Sequence, residues 1–161
     1  METQDIIDKL TLSAPVDIER MIRDFSIDLD AKADLPKDIS GQIELSHDDE
    51  YRISANAKDS YYRRRFTMAH ELAHYLLHRD LIGCGLDDDC MYRSTAHGNY
   101  YNTAVMRRHE TQANQLAAQL LLPGRLLREI WESDKDKQSL AKKFQVSKQA
   151  MQIRLESLGL A

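Results

Sequence analysis

Apolar residues recur at helical spacing along much of the chain and alternate with polar ones in one short stretch. In residues 15–25, Ile18, Met21, Ile22 and Phe25 fall on one face, and Pro15 after Ser13-Ala14 is a suitable helix opening. Residues 28–41 are polar, contain Pro36 and end at Gly41, so they read as a loop. Ile43-Glu44-Leu45 and Tyr51-Arg52-Ile53-Ser54 alternate and predict two short strands joined by an acidic turn. The strongest helical pattern spans residues 62–78, with Phe66, Ala69, Leu72, Ala73, Leu76 and Leu77 in one stripe. Residues 79–104 carry Gly83, Gly85, Gly98 and Asp87-Asp88-Asp89 and read as irregular. A second long helix is predicted over 106–121, with Ala113, Leu116, Ala117, Leu120 and Leu121 facing one way. Pro123-Gly124 breaks the pattern before a short helix through Leu127, Ile130 and Trp131. After a connector at 133–136, two helices close the chain, roughly 138–144 and 148–157, with Ser147 as N-cap of the last.

Composition narrows the class without naming a chemistry. A chain of 161 residues fits one domain, with room at most for a small appendage. The net charge of −4 and pI near 5.8 exclude nucleic-acid binding driven by bulk charge. That sum hides a gradient: residues 1–50 hold 14 acids and 5 bases, whereas residues 136–161 hold 2 acids and 5 bases. The local basic excess is therefore C-terminal, and an acidic docking partner, or the chain's own N-terminal region, is its expected counterpart. Cys84 and Cys90 are too few for a disulfide framework. The first residues lack the basic and apolar regions of a signal peptide, and the longest purely apolar run is Leu120-Leu121-Leu122. A cytoplasmic protein without membrane association is expected.

Chemistry enters with His70-Glu71-Leu72-Ala73-His74, an H-E-x-x-H pattern on the central helix. Residues four apart on a helix lie about 40° apart around its axis and about 6 Å along it, so both imidazoles can grip one ion. Glu71 flanks that pair and is placed to act as a general base on a water. Two imidazoles, a carboxylate and a water suit one zinc ion. His78 continues the face but stands about 12 Å along the axis from His70, so it reads as an exposed or capping residue. For the third ligand, Glu110 projects from the apolar face of its helix, where a carboxylate is costly unless bound or paired. His109 shares a stripe with Ala113, Leu116 and Leu120 and competes with it. Asn114, one turn beyond Glu110, is a candidate to orient a ligand.

Three segments together resemble a family. Phe66-Thr67-Met68-Ala69-His70-Glu71-Leu72-Ala73-His74-Tyr75-Leu76-Leu77-His78 is similar to the zinc motif of the ImmA/IrrE metallopeptidases. So are Glu110-x-x-Ala113-Asn114-x-x-Ala117-Ala118-x-x-Leu121-Leu122-Pro123 and the closing stretch from Leu140 to Leu160. The resemblance implies an α+β fold: a mainly helical zincin-like domain with a small β-sheet and a C-terminal helix-turn-helix-like pair. It implies a metallopeptidase core over 1–135 and the helix pair over 136–161, a short form without the sensor-like domain of larger members. It implies His70, His74 and Glu110 as ligands of one Zn2+ and Glu71 as the catalytic base. It further implies a zinc metalloendopeptidase that cleaves a helix-turn-helix transcriptional repressor and so relieves repression. The alternative is a non-catalytic DNA- or protein-binding regulator, of the toxin–antitoxin type, with a structural metal.

Other features carry plainer expectations. Lys148, Gln149 and Gln152 would be the DNA-contacting positions of the helix pair, but a packing or substrate-docking role is favoured. Its core is expected from Leu140, Phe144, Val146, Ala150, Ile153 and Leu155. Arg63-Arg64-Arg65 reads as a solvated helix start, as a patch for an acidic partner, or as a run folded back on the acidic N-terminal region. Cys84 and Cys90 with His97 match no usual zinc spacing, and Asp87-Asp88-Asp89 lacks the Gly and Glu of a calcium loop. Tyr100, Tyr101 and His97 are chemically suited to stabilise an oxyanion, with nothing to single one out.

Overall fold

The computed structural model describes residues 2–46, 48–82, 91–95 and 107–161. Expectations placed on Cys84, Cys90, Asp87-Asp88-Asp89, His97, Tyr100 and Tyr101 lie outside these residues. The fold is α+β, with seven helices and a four-stranded sheet among the described residues. None of those helices is long and apolar enough to cross a membrane.

The chain starts with α1 (Thr3–Leu10), a helix not expected from the sequence, which buries Ile6. Helix α2 (Ile18–Asp24) begins later than the Pro15 reading placed it. Its N-cap is Asp17, whose carboxylate accepts the Arg20 N–H at 3.1 Å. The stretch expected to be a loop instead forms β1 (Asp28–Ala33) and the start of β2 (Ile39–Leu45). Strand β1 is an edge: Asp28, Asp30 and Lys32 point to solvent while Leu29, Ala31 and Ala33 turn inward. Its period-2 pattern is present in the sequence, but the aspartates that suit an exposed edge mask it. β1 runs parallel to β3 (Tyr51–Asn56), with Leu29 opposite Ile53. β2 and β3 form the expected antiparallel pair, with Ile43 opposite Ile53. A fourth strand, β4 (Met91–Thr95), lies within the segment read as irregular and pairs antiparallel with β2, giving the order β1-β3-β2-β4.

Helix α3 (Tyr61–Leu77) packs on β2 and β3 and against α4 (Arg107–Leu121). Ser60 caps α3 through the Arg63 N–H. Ala69, Ala73, Ala113 and Ala117 are fully buried. Small side chains at a helix contact permit a short interaxial distance, which brings polar groups of the two helices within reach of each other. Gly41 serves the same end on the sheet side. A Cβ there would overlap Thr67 Cγ2 and stand 2.8 Å from Ser54 O. Gly41→Ala is therefore expected to push β2 from α3 and cost about 1–3 kcal/mol in denaturant unfolding. An unchanged midpoint would show that the strand yields freely.

Helices α5 (Gly124–Trp131), α6 (Lys137–Phe144) and α7 (Lys148–Ser157) complete the chain. Asp136 caps α6, and Ser147 caps α7 by accepting the Ala150 N–H at 3.1 Å. Leu140, Phe144, Val146, Met151 and Leu155 join the same apolar cluster as α3 and the sheet. Ile153, expected in this core, is instead 58% exposed.

The arginine run is not one solvated patch. Arg63 donates to Ser40 Oγ at 3.0 Å and stands 3.6 Å from Asp59. Arg64 donates to the carbonyl of Ala31 at 3.2 Å. Arg65 is only 4% exposed and donates to the carbonyls of Val16, Phe144 and Gln145 at 3.0, 3.2 and 3.1 Å. It thus ties α3 to the turn between α6 and α7 and to the segment before α2. Within the acidic N-terminal region, Asp28 pairs with Arg52 and Asp34 with Lys58, both bases of the sheet region.

Candidate metal centre

One helical turn separates His70 from His74 on α3, and their Nε2 atoms come within 3.1 Å of each other. Both rings are buried. Burial lowers the pKa of His70 to about 4 and that of His74 to about 2, so both are neutral near pH 7. Each neutral ring carries one N–H and one lone pair. His70 Nδ1 lies 2.8 Å from Asn114 Oδ1. An amide oxygen only accepts, so the His70 proton sits on Nδ1 and its Nε2 lone pair faces His74.

Helix α4 supplies the third group. Glu110 Oε1 is 3.9 Å from His70 Nε2. Its other oxygen, Oε2, is buried and has no hydrogen-bond partner among the described residues. Burial pushes the Glu110 pKa up to about 7, partly offset by a hydrogen bond from Asn114. His109, the rival position, turns its ring onto His78 with centroids 4.8 Å apart. Among the described residues, no three or more His, Cys, Asp or Glu side chains are drawn together closely enough to hold a metal ion. His70, His74 and Glu110 are an open set, and its donor chemistry fits zinc: two neutral imidazoles and a carboxylate buried without enough partners. Glu71 is fully buried beside them. Its Oε1 lies 3.7 Å from where a Gly41 Cβ would stand, so β2 packs directly over it.

The sequence reading missed two contributors. His78 is the C-cap of α3, one of its two expected roles, but it is buried, not exposed; its Nδ1 is 3.0 Å from His74 Nδ1 and its Nε2 is 2.8 Å from Gln112 Oε1. Its place four residues after His74, on the same stripe, was the available signal. Gln112 gave none, because its role depends on how α4 is set against α3.

A cleft of about 620 Å3 opens on His70 and Glu110. Arg63, Phe66 and Thr67 of α3 line one side, and Val146, Gln149 and Ile153 of the C-terminal pair line the other. The exposed Ile153 is therefore a cleft residue.

Residues 21–156 match the family described as Peptidase_M78, IrrE N-terminal-like domain. The matched segment runs from α2 to α7 and includes every residue of the centre. Among solved structures, a Mycobacterium tuberculosis transcriptional regulator shares the fold over 96% of this chain, with a TM-score of 0.62 and 19% identity. The chain spans 45% of that protein, a little under half its length. No curated protein matches the chain. With the match extending over most of its length, the chain belongs to the IrrE N-terminal-like domain family of peptidases.

Proposed function

We propose that the protein is a zinc-dependent metalloendopeptidase that cleaves a helix-turn-helix transcriptional repressor and thereby relieves repression. The observation that carries the metal is the meeting of His70 and His74 at Nε2 beside a buried carboxylate oxygen of Glu110 without a hydrogen-bond partner among the described residues. These three residues would hold the ion. When bound, zinc lowers the pKa of water to about 7 and polarises a carbonyl. Glu71 supplies the proton transfers: its carboxylate takes a proton as the nucleophile forms and returns it to the leaving amine. Asn114 holds His70 in register, and the cleft walls align an extended peptide across the site.

The repressor as substrate rests on the family and on the cleft's second wall. Gln149, one of the positions that would read DNA, lines the cleft beside His70. That placement favours substrate docking over DNA contact for the start of α7. The direct test mixes the purified chain and zinc with a purified helix-turn-helix repressor from the same genome. Loss of the intact repressor band, blocked by chelator, is the expected result. An intact repressor, together with sequence-specific DNA binding at physiological salt, would favour a non-catalytic regulator.

Glu110→Gln separates the metal from the fold. In chelated protein, this change removes a poorly solvated carboxylate and should keep or raise the melting temperature. Zinc affinity should fall by more than the roughly 10–100-fold typical of losing an outer partner. Undiminished zinc binding would remove Glu110 from the ligand set.

A further inference from the structure

We propose that Phe66, Val146, Ala150 and Ile153 form a side-chain subsite that selects a bulky aliphatic residue within two residues of the peptide bond to be cut. The inference rests on the peptidase reading and names the substrate feature that the cleft recognises. All four residues line the cleft that opens on His70 and Glu110. Phe66 stands four residues before His70 on α3, about 40° round the axis and about 6 Å along it. An extended chain advances about 3.3 Å per residue and returns a side chain to the same face at every second one. A peptide lying along α3 with one carbonyl at His70 therefore sets a nearby side chain against Phe66.

The facing wall comes from the C-terminal pair. Ala150 and Ile153 are three apart on α7 and share one face. Met151 and Leu155 of the same helix are fully buried in the core, whereas Ile153 is 58% exposed. A lone exposed isoleucine is ordinary, but this one lines the cleft with Phe66 and Val146. Val146 follows the turn that Arg65 holds through the carbonyls of Phe144 and Gln145, so the wall is in place before a peptide arrives. Charge on the walls is already engaged. Arg63 donates to Ser40 Oγ at 3.0 Å and stands 3.6 Å from Asp59, and Glu110 belongs to the proposed ligand set. Ser147 and Gln149 can hydrogen-bond a peptide backbone but cannot pair with a charge. An ionised side chain would lose water against Phe66 and Ile153 without an opposite charge, while an aliphatic one gains by burial.

The test uses the full chain, with short blocked alanine peptides bearing one leucine, aspartate or lysine as probes. In metal-free protein labelled at the isoleucine δ1 methyls, the leucine peptide should shift the Ile153 signal to saturation. Its affinity should exceed that of the aspartate and lysine peptides by about 10-fold or more. Ile153→Glu, at an exposed position, should fold and bind zinc as the parent does and lose that preference by about 10-fold. Ile153→Leu should keep it. An unmoved Ile153 signal, equal affinity for the leucine and aspartate peptides, or an unchanged preference in folded Ile153→Glu overturns the subsite; cleavage of repressor in that case leaves the peptidase reading standing. A leucine peptide seated on Ile153 in a chain that, with zinc, cuts neither peptide nor repressor overturns the peptidase reading and leaves the aliphatic subsite standing.

Discussion

Glu71→Gln is expected to bind zinc as the parent chain does and to cleave repressor at least about 10²-fold more slowly, the scale of a lost general base. Glutamine matches glutamate in size, so the fully buried site should accept it without repacking. It lacks the basicity to take a proton at neutral pH. The two conclusions can be checked separately, zinc content by elemental analysis and cleavage by the rate at which intact repressor disappears. Equal cleavage by the variant would sink Glu71 as the base. Loss of zinc instead would mean that Glu71 contributes to holding the ion.

Arg65→Met carries the largest expected cost in stability. The guanidinium is buried, and burial is the main cause that lowers its pKa. Three backbone carbonyls, of Val16, Phe144 and Gln145, depend on it. Leaving a buried acceptor without its donor costs about 1–3 kcal/mol, and the three share one donor, so the sum is not additive. A loss of about 3 kcal/mol or more is expected in urea unfolding. Against a total of roughly 5–15 kcal/mol, that is a substantial fraction. Arg65→Lys should recover only part, because an ammonium cannot spread its donors as the planar fork does. A Met variant within 0.5 kcal/mol of the parent, roughly the range of a neutral surface change, would sink this role. The cleft should loosen too, since Val146 beside the held Gln145 lines it.

How far the sequence could be read follows the range of the forces involved. Helices α3 to α7 were legible because each buries one stripe against the rest, and that stripe is written at period 3.6. The β2–β3 hairpin was legible from alternation. β1 was hidden because an exposed edge strand is free to be rich in aspartate, and α1 because it buries little beyond Ile6. At the candidate centre, the spacing of His70, Glu71 and His74 speaks for itself, and Glu110 stands out as a carboxylate on an apolar face. Arg65 and His78 were legible only in part: a fold-back of the arginine run and a capping His78 are both compatible with the sequence, but the burial of the two side chains is not written in it. Their partners are carbonyls and an amide from elements far along the chain, which no local pattern records. Ile153 was assigned to the core because hydrophobicity alone cannot tell a core position from the wall of a cleft.

The Arg65 contacts also have a kinetic meaning. The turn beneath the far wall of the cleft is fastened to the same helix that carries His70 and His74, which opposes a hinged opening of that wall. Under the proposed peptidase function, a polypeptide would thread the slot at its resting width. A folded partner would then be cut only as often as it locally unravels, so the pace of turnover would be written in the partner's own stability.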